Sequence, residues 1–432
     1  VILRPFTVTL VHPARVPVDL ASGLVFLACA IAVFLLARRR LSLGVGALFV
    51  LAPFDLARYA GSTTITTLKA GLVGLLVAMA LSRPDLRVLV RPGVRAVLTA
   101  FVALLAAIAL SAWHAHHLGE VVREGLKNAE YLLLFAVAVV CLASDPDDGA
   151  LWRMLEVGIA LVCLSALAEY ALGAHNGMFL HGKAWIVPRI AGVLEGPNQL
   201  AGYLDLALPL LVARALVRPD RYATIVCVLA AVTDLLTISR GGIFGAIVGV
   251  VAVVAVLRPP TTLAWRYAAG AVAVVIAAGV GFALRAGVPP GYFSLHQQAQ
   301  AADHLGNRAE LWHAAVALWR TSPITGVGAG NYELDLGEVG LVGVRTHANS
   351  LYLQALAELG LVGFAATVGL LVTTIVVLAR SALREPFVVG ALGATFALAA
   401  HQVLDDMFFF PKVASGYWIV VGCAVAIVAR RR

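Results

Sequence analysis

The chain has 432 residues, 61% of them hydrophobic and 13% charged, with a mean hydropathy of +0.92 and a formal charge of +8. Soluble domains carry about 25% charged residues, so an ordinary soluble enzyme is excluded. Apolar runs of about 17 to 30 residues recur, and about 20 cross a bilayer, whereas barrel strands alternate polar and apolar positions.

The expected fold is therefore an all-α polytopic membrane protein. Candidate spans fall near 19–37, 41–57, 64–81, 94–112, 126–143, 150–172, 198–216, 222–238, 241–257, 266–284, 348–379, 387–405 and 413–429. That predicts about twelve transmembrane helices if one early run only dips into the bilayer, and thirteen if all cross. Of 32 Lys and Arg, 17 cluster on alternate loops, at Arg38–Arg40, Arg83–Arg95, Arg214–Arg221, Arg258 and Arg266, Arg380 and Arg384, and Arg430–Arg432. The positive-inside rule makes these loops cytoplasmic. No soluble basic face exists to read nucleic acid. Cys29, Cys141, Cys163, Cys227 and Cys423 all sit in apolar runs, so neither a disulfide framework nor a zinc spacing is present. The run at 19–37 is too long for the apolar part of a cleavable signal peptide.

Three divisions follow: an N-terminal transmembrane bundle over 1–284, a large outward loop with an amphipathic helix over 285–347, and C-terminal transmembrane helices over 348–432. The outward face collects "HAHHLGE" at 114–120, the segment 173–197, the tight "SRGG" turn at 239–242, and that loop. His114, His116 and His117 with Glu120 could hold a metal, but their spacing fits no strict template, and a solvated turn explains them. In the loop, "NRAELWHAAVALWRTSP" reads as a helix with Asn307 as N-cap, Glu310 at capping-box spacing and Pro323 as its stop. Leu311, Ala315 and Leu318 with Trp312 and Trp319 give it an apolar face, suited to the outer leaflet or to the bundle. "GVGAGNY" at 326–332 lacks the strand a nucleotide loop needs; a turn that lets backbones pack closely is expected.

Ionisable groups at membrane depth are costly and usually functional. The outward cations that topology does not explain include Lys183, Arg189, Arg240, Arg285, Arg308, Arg320, Arg345 and Lys412. Arg240 sits between two apolar runs beside Gly241 and Gly242, where a helix N-terminus and a guanidinium make a phosphate site; a snorkelling arginine on lipid phosphate is the plain alternative. Arg189 precedes "GPNQ", in which Pro197 opens a helix and Asn198 either caps it or binds hydroxyls. In "RTHANSLYLQALAELG", His347, Ser350, Gln354 and Glu358 would form one stripe if the helix starts at His347, running roughly 16 Å inward. Such a stripe faces protein or a wet cavity. His347, near water, would be a competent proton acceptor, or a capping residue. Asp405 and Asp406, near the outer end of a late helix, would orient a base or bind sugar hydroxyls. Such a set suits a substrate with two phosphates and a hydroxyl to activate, as in a polyprenyl-pyrophosphate-linked sugar. Fixed arginines would stabilise the leaving group as a divalent ion does elsewhere.

"RIAGVLEGPNQLAGY", "TISRGG", "GNRAELWHAAVALWRTSPITGVGAGNY" and "THANSLYLQALAELG" resemble the O-antigen ligase and polymerase superfamily of bacterial inner membranes, over roughly residues 185–360. The resemblance implies about twelve spans, a large periplasmic loop before the histidine-bearing helix, and an active site facing the periplasm. It implies glycosyl transfer without a metal or other cofactor, with an undecaprenyl-pyrophosphate-linked O-antigen donor, a lipid A–core acceptor and membrane lipids as partners. His347 would be the catalytic base, and Arg240, Arg308 and Arg189 would hold the pyrophosphate. Asn198, Ser350, Gln354, Glu358, Asp405 and Asp406 would support the site or bind sugar. One long outward loop and the His-x-x-Ser helix start favour the ligase; an O-antigen polymerase or a protein O-oligosaccharyltransferase shares these motifs. Outside the class, the arginines would suit a transporter of anionic solutes, but no internal repeat is seen.

Overall fold

The computed structural model describes residues 16–60, 63–172, 179–181, 186–258, 308–380 and 385–430. The span expected at 266–284, Asn307, Lys183, Arg266, Arg285 and the segment 285–307 lie outside these residues, as do Arg384, Arg431 and Arg432.

The apolar runs form helices in the expected order. They are α1 (Leu20–Arg39), α2 (Leu41–Leu51), α3 (Thr67–Ser82), α4 (Pro92–Ser111), α5 (Leu118–Ser144), α6 (Asp148–Leu172), α7 (Pro197–Val217), α8 (Arg221–Thr237), α9 (Arg240–Leu257), α10 (Arg308–Thr321), α11 (Tyr332–Asp335), α12 (Leu351–Ala379), α13 (Pro386–His401) and α14 (Pro411–Arg430). Among the described residues eight are long and apolar enough to cross a membrane: α1, α4, α5, α6, α7, α9, α12 and α14. The shortfall against the expected count lies in α2, α3, α8 and α13, of 11, 16, 17 and 16 residues, and in 266–284. The run at 41–57 is not one span. Its helix ends at Leu51, Pro53 enters a 3-10 turn, and the chain leaves in a hairpin. Eleven residues rise only about 17 Å.

The chain is also not purely helical. β1 (Ala57–Ala60) pairs antiparallel with β2 (Thr63–Thr66), and β3 (Phe179–His181) with β4 (Ile186–Pro188). Both hairpins lie where the sequence leaves an apolar run, so their backbone groups bond each other rather than a helix.

Burial separates inner from outer helices. The apolar window of α14 is 94% buried and that of α7 78%, against 22% for α1. Trp418 of α14 packs its ring 4.3 Å from that of Phe101 of α4 and edge-on to Phe135 of α5. α7, α9 and α13 pack together on the other side of the core. Described cations of the basic clusters gather at one end of the bundle. There Arg40 pairs with Asp147, Arg430 with Asp148 at 3.0 Å, and Arg91 donates to the carbonyl of Ala429. The loop 145–148, which carries no cation of its own, is thereby held to that end. The polar residues of interest collect at the other.

Candidate active site

The site rests on a broken helix. α12 covers 29 residues, but Gly360 has φ +64° and ψ −162°, which interrupts it. An interruption leaves backbone groups unpaired, and buried backbone groups must find partners. The glycine-rich turn supplies them. The N–H groups of Val327 and Gly328 donate to the carbonyls of Ala357 and Glu358 at 3.0 and 2.9 Å. Below the break, Leu361 and Val362 donate to the carbonyls of Pro323 and Ile324 at 2.9 and 3.2 Å. Such close approach needs residues without side chains: Gly326, Gly328 and Gly330 all have positive φ, and a Cβ on Gly326 would run into the backbone of Glu358 and Leu359. The spaced glycines thus mark a close-packing turn, as read from the sequence.

α10 packs on the outer part of α12. Leu311, Ala314, Ala315 and Leu318 join Val327, Tyr332, Leu336, Ala348 and Ala357 in a second small core. Trp312 donates through Nε1 to the carbonyl of Asn349 at 3.4 Å, so this helix faces the bundle.

His347 is not on the helix. α12 starts at Leu351, with extended Ser350 as its N-cap, and the chain reaches it through Asn349 at φ +50°. The expected four-residue stripe is therefore split: Gln354 and Glu358 are helical, and His347 projects from an extended segment. Its place is set by the Leu351 N–H, which is shared between the carbonyls of Gln402 and Asp405 at 3.1 Å each. That bond brings the start of α12 against the turn after α13. His347 Nε2 lies 3.0 Å from Asp405 Oδ1, and its ring stacks on Phe409 with Phe410 edge-on.

Polar groups behind Asp405 fix its orientation. Arg189 Nη2 donates to Asn198 Oδ1 at 2.7 Å, and its Nε donates to the carbonyl of Thr237 at 2.8 Å. A guanidinium only donates, so the Asn198 carbonyl faces it and the amide nitrogen points away. Asn198 Nδ2 then donates to Asp405 Oδ2 at 2.7 Å. Asp405 Oδ1 also accepts from the N–H of Asp406 at 2.8 Å. A carboxylate that accepts on every side takes the Nε2 proton of His347. In neutral His347 the free lone pair is then on Nδ1, which bonds no described residue. The direction of the whole chain is set by Arg189.

The charges agree with this arrangement. Burial alone would lower the pKa of His347, but the hydrogen bond and charge of Asp405, aided by Asp406 and Glu333, carry it above the ordinary histidine value. Burial would raise Asp405; His347, by hydrogen bond and charge, holds it down at about 2. Burial pushes Asp406 up to about 6 against the pull of His347 and Lys127. Arg308, at the first described position of α10, approaches Asp405 Oδ2 only to 3.9 Å and is 37% exposed. That loose pair leaves guanidinium donors for a ligand.

The other expected residues divide. Arg240 opens α9 behind the N-cap Ser239, is exposed, and makes no hydrogen bond or ion pair among the described residues. Its neighbour Gly241 lies against the His401 ring and Leu404. Asn198 is not a cap: Gly196 holds that position, Pro197 is the first helical residue, and the Asn198 amide serves Asp405. Arg189 is a brace, with Nε and Nη2 engaged by the protein. Gln354 and Glu358 face protein rather than a wet cavity. Gln354 accepts from the Ala348 N–H at 2.7 Å and donates to Glu358, which accepts from the Tyr332 N–H at 3.3 Å. They hold the segment before His347 and are too enclosed to bind sugar. Asp406 caps the turn Met407–Phe409, and Ser350 is buried with no side-chain cap bond. In "HAHHLGE", Glu120 pairs with Arg123 and His114 bonds Thr325, so the four do not form one metal set.

Two groups of residues escape the sequence reading. Lys127, paired with Glu124, lies over the ring of Phe409 at 5.5 Å from its centre; charges at the start of the apolar run of α5 are the signal that would have found them. His401 Nδ1 lies 2.6 Å from Asp205 Oδ2, both fully buried, joining α13 to α7; a lone Asp in "LDLALPL" is its trace.

Fold and site thus define a polytopic helical membrane protein that carries an oriented imidazole–carboxylate pair flanked by guanidinium groups at one end of its bundle. Residues 225–368 match the family model described as O-antigen ligase. That match supports membership of the O-antigen ligase/polymerase superfamily, whose enzymes are glycosyltransferase-like and act on lipid-linked sugars. The matched stretch holds Arg240, Arg308 and His347, while Arg189, Asn198 and Asp405 lie outside it. No curated protein matches the chain.

Proposed function

We propose that the protein is an O-antigen ligase. It moves polysaccharide from undecaprenyl pyrophosphate to a hydroxyl of the lipid A–core oligosaccharide, at the periplasmic face of the bacterial inner membrane. The observation that carries this reading is the chain Arg189–Asn198–Asp405–His347, which leaves one imidazole lone pair without a partner among the described residues, with the loosely paired Arg308 guanidinium close to Asp405. The basic clusters at the opposite end suit a cytoplasmic side by the positive-inside rule, which supports a periplasmic His347.

In this mechanism the acceptor hydroxyl gives its proton to His347 Nδ1. Its oxygen attacks the anomeric carbon, the bond from that carbon to the phosphate oxygen breaks, and undecaprenyl pyrophosphate leaves. Attack opposite the leaving group inverts the anomeric carbon. Asp405 stabilises the imidazolium that forms. Arg308 and Arg240 meet the growing charge on the pyrophosphate, the part a divalent cation takes in other transferases. Arg189 keeps Asn198 and Asp405 aligned. General-base assistance contributes about 10²- to 10⁴-fold.

The test is transfer by purified protein with a defined undecaprenyl-linked donor and rough lipopolysaccharide. Wild type should yield lipopolysaccharide bearing the donor glycan, and His347→Ala should lose this product at unchanged membrane abundance. A lengthened lipid-linked glycan with no modified lipopolysaccharide would make the protein a polymerase. Retained transfer in His347→Ala would remove the base.

A further inference from the structure

The turn between α4 and α5 carries histidines that the transfer chemistry does not use. His116 Nδ1 lies 3.3 Å from Glu338 Oε1 and 3.5 Å from Asp335 Oδ1, and His117 Nε2 lies 3.8 Å from the same Asp335 oxygen. One donor atom from each of His116, Asp335 and Glu338 falls within 4.8 Å of the others. We propose that these residues form a divalent transition-metal site of the zinc class, with His117 or water as the fourth ligand, which staples the α4–α5 turn to the segment leading to His347.

Three observations carry this. The first is spacing. Ligands about 2.0–2.1 Å from a tetrahedral ion stand about 3.3–3.4 Å apart. The two His116 distances match that edge, whereas a charge-assisted hydrogen bond closes to about 2.7–2.9 Å. The second is the state of Asp335. It is 2% exposed, and its Oδ2 is buried with no hydrogen-bond partner among the described residues. Glu338 adds a second negative charge beside it, and no Lys or Arg of the described residues pairs with either. A buried carboxylate facing another carboxylate calls for a cation. The third is that the donors are held before any ion arrives. Asn331 Oδ1 accepts from the His117 N–H at 2.8 Å, and the Asn331 carbonyl accepts from the Asp335 N–H at 2.9 Å. Ser111 at the end of α4 accepts from the Ala329 N–H at 3.0 Å. These bonds lock the histidine turn and the α11 turn into register, the second-shell support that metal sites need.

Imidazole nitrogen with two carboxylates suits zinc or its first-row neighbours rather than calcium, which prefers six or more oxygens. None of the proposed ligands belongs to the transfer site, so the ion is a structural clamp.

The experiment titrates ZnCl₂ into the purified full-length protein, carrying no polyhistidine tag and stripped with chelator, and follows heat and melting temperature. One saturable zinc per chain and a rise in melting temperature are expected. Loss of a second-shell partner weakens a metal site about 10- to 100-fold, and His116→Ala or Glu338→Gln, each removing a direct ligand, should weaken binding at least as much. Both side chains are 56% exposed, so the fold should tolerate the changes. His114→Ala should bind zinc like wild type, because His114 is tied to Thr325. Absence of saturable binding, or binding equal in wild type, His116→Ala and Glu338→Gln, would overturn the proposal.

Discussion

The sharpest consequence of the site concerns Asp405→Asn. The amide keeps the shape of the carboxyl and removes its charge. In the proposed transfer step His347 becomes an imidazolium 3.0 Å from Asp405. At an effective dielectric of about 20, unit charges at that distance attract by about 5 kcal/mol. Spreading of both charges, and the 15% of the His347 side chain open to solvent, should leave roughly half. A loss of about 2–3 kcal/mol from transition-state stabilisation is about 30- to 150-fold in rate. The charge is needed only once the proton has moved, so kcat should fall and KM for the acceptor should hold. The pH profile moves as well. In wild type His347 titrates above the ordinary histidine value, and only its neutral form accepts a proton, so the acid limb of kcat/KM lies above about 6.5. Burial lowers this pKa, and the Asp405 hydrogen bond and charge outweigh it; without that charge the limb should shift to lower pH. The assay is transfer to rough lipopolysaccharide across pH 5–9, with melting temperature as the fold control. An Asp405→Asn enzyme with wild-type kcat, or with an acid limb moved upward, would refute the base–carboxylate pairing.

Arg240→Lys keeps the charge and loses the fork. Transfer should fall with unchanged melting temperature, because this side chain bonds no described residue; wild-type rates would reduce it to a lipid-facing cation. Arg189→Ala should behave differently, since it frees the Thr237 carbonyl and lets the Asn198 amide turn over. Melting should drop by the equivalent of roughly 2 kcal/mol together with kcat, and a loss of activity at wild-type stability would make Arg189 a substrate ligand instead. Gly360→Ala forces a side chain onto φ +64° against the backbone of Ile324. It should destabilise by more than about 1 kcal/mol, read as a lower melting temperature; a neutral effect would mean that the break is not rigid.

What the sequence shows, and what it hides, follows from the range of each interaction. Helix order was legible because span length and hydropathy are local. The hairpin at Ala57–Thr66 was not, because its two four-residue strands fall in the polar gap between two apolar runs and are too short to show a period of their own. The residue types of the site were legible for the same reason in reverse: cations and a histidine at the mouths of apolar helices stand out against their surroundings. Their partners were not. Asn198 and Asp405 are 207 positions apart, and nothing local distinguishes an amide that caps its own helix from one that reaches another. The placement of His347 failed on one detail. A helix starting at His347 and one starting at Leu351 have the same hydrophobic pattern, and only the turn at Asn349 and the bond from the Leu351 N–H to the 402–405 turn decide between them.

That detail has a physical consequence for the chemistry. On an unbroken helix, His347 would have its direction fixed by the helix axis, and its neighbours would be Ser350 and Gln354. On an extended segment its ring is aimed by tertiary contacts: Asp405 at Nε2, Phe409 on one face and Phe410 at the edge. Those contacts come from the chain beyond α13, so the base and its carboxylate meet only when α12 and α13 are docked. The break at Gly360 makes that docking compatible with the glycine turn, because the same interruption that ends the outer part of α12 offers the carbonyls to which Val327 and Gly328 bind. One irregular position thereby joins the turn that follows α10, the helix bearing Arg308, to α12, whose preceding segment bears His347. Asp405 is satisfied by protein, through Asn198, the Asp406 N–H and His347, which leaves His347 Nδ1 and the Arg240 guanidinium without partners among the described residues.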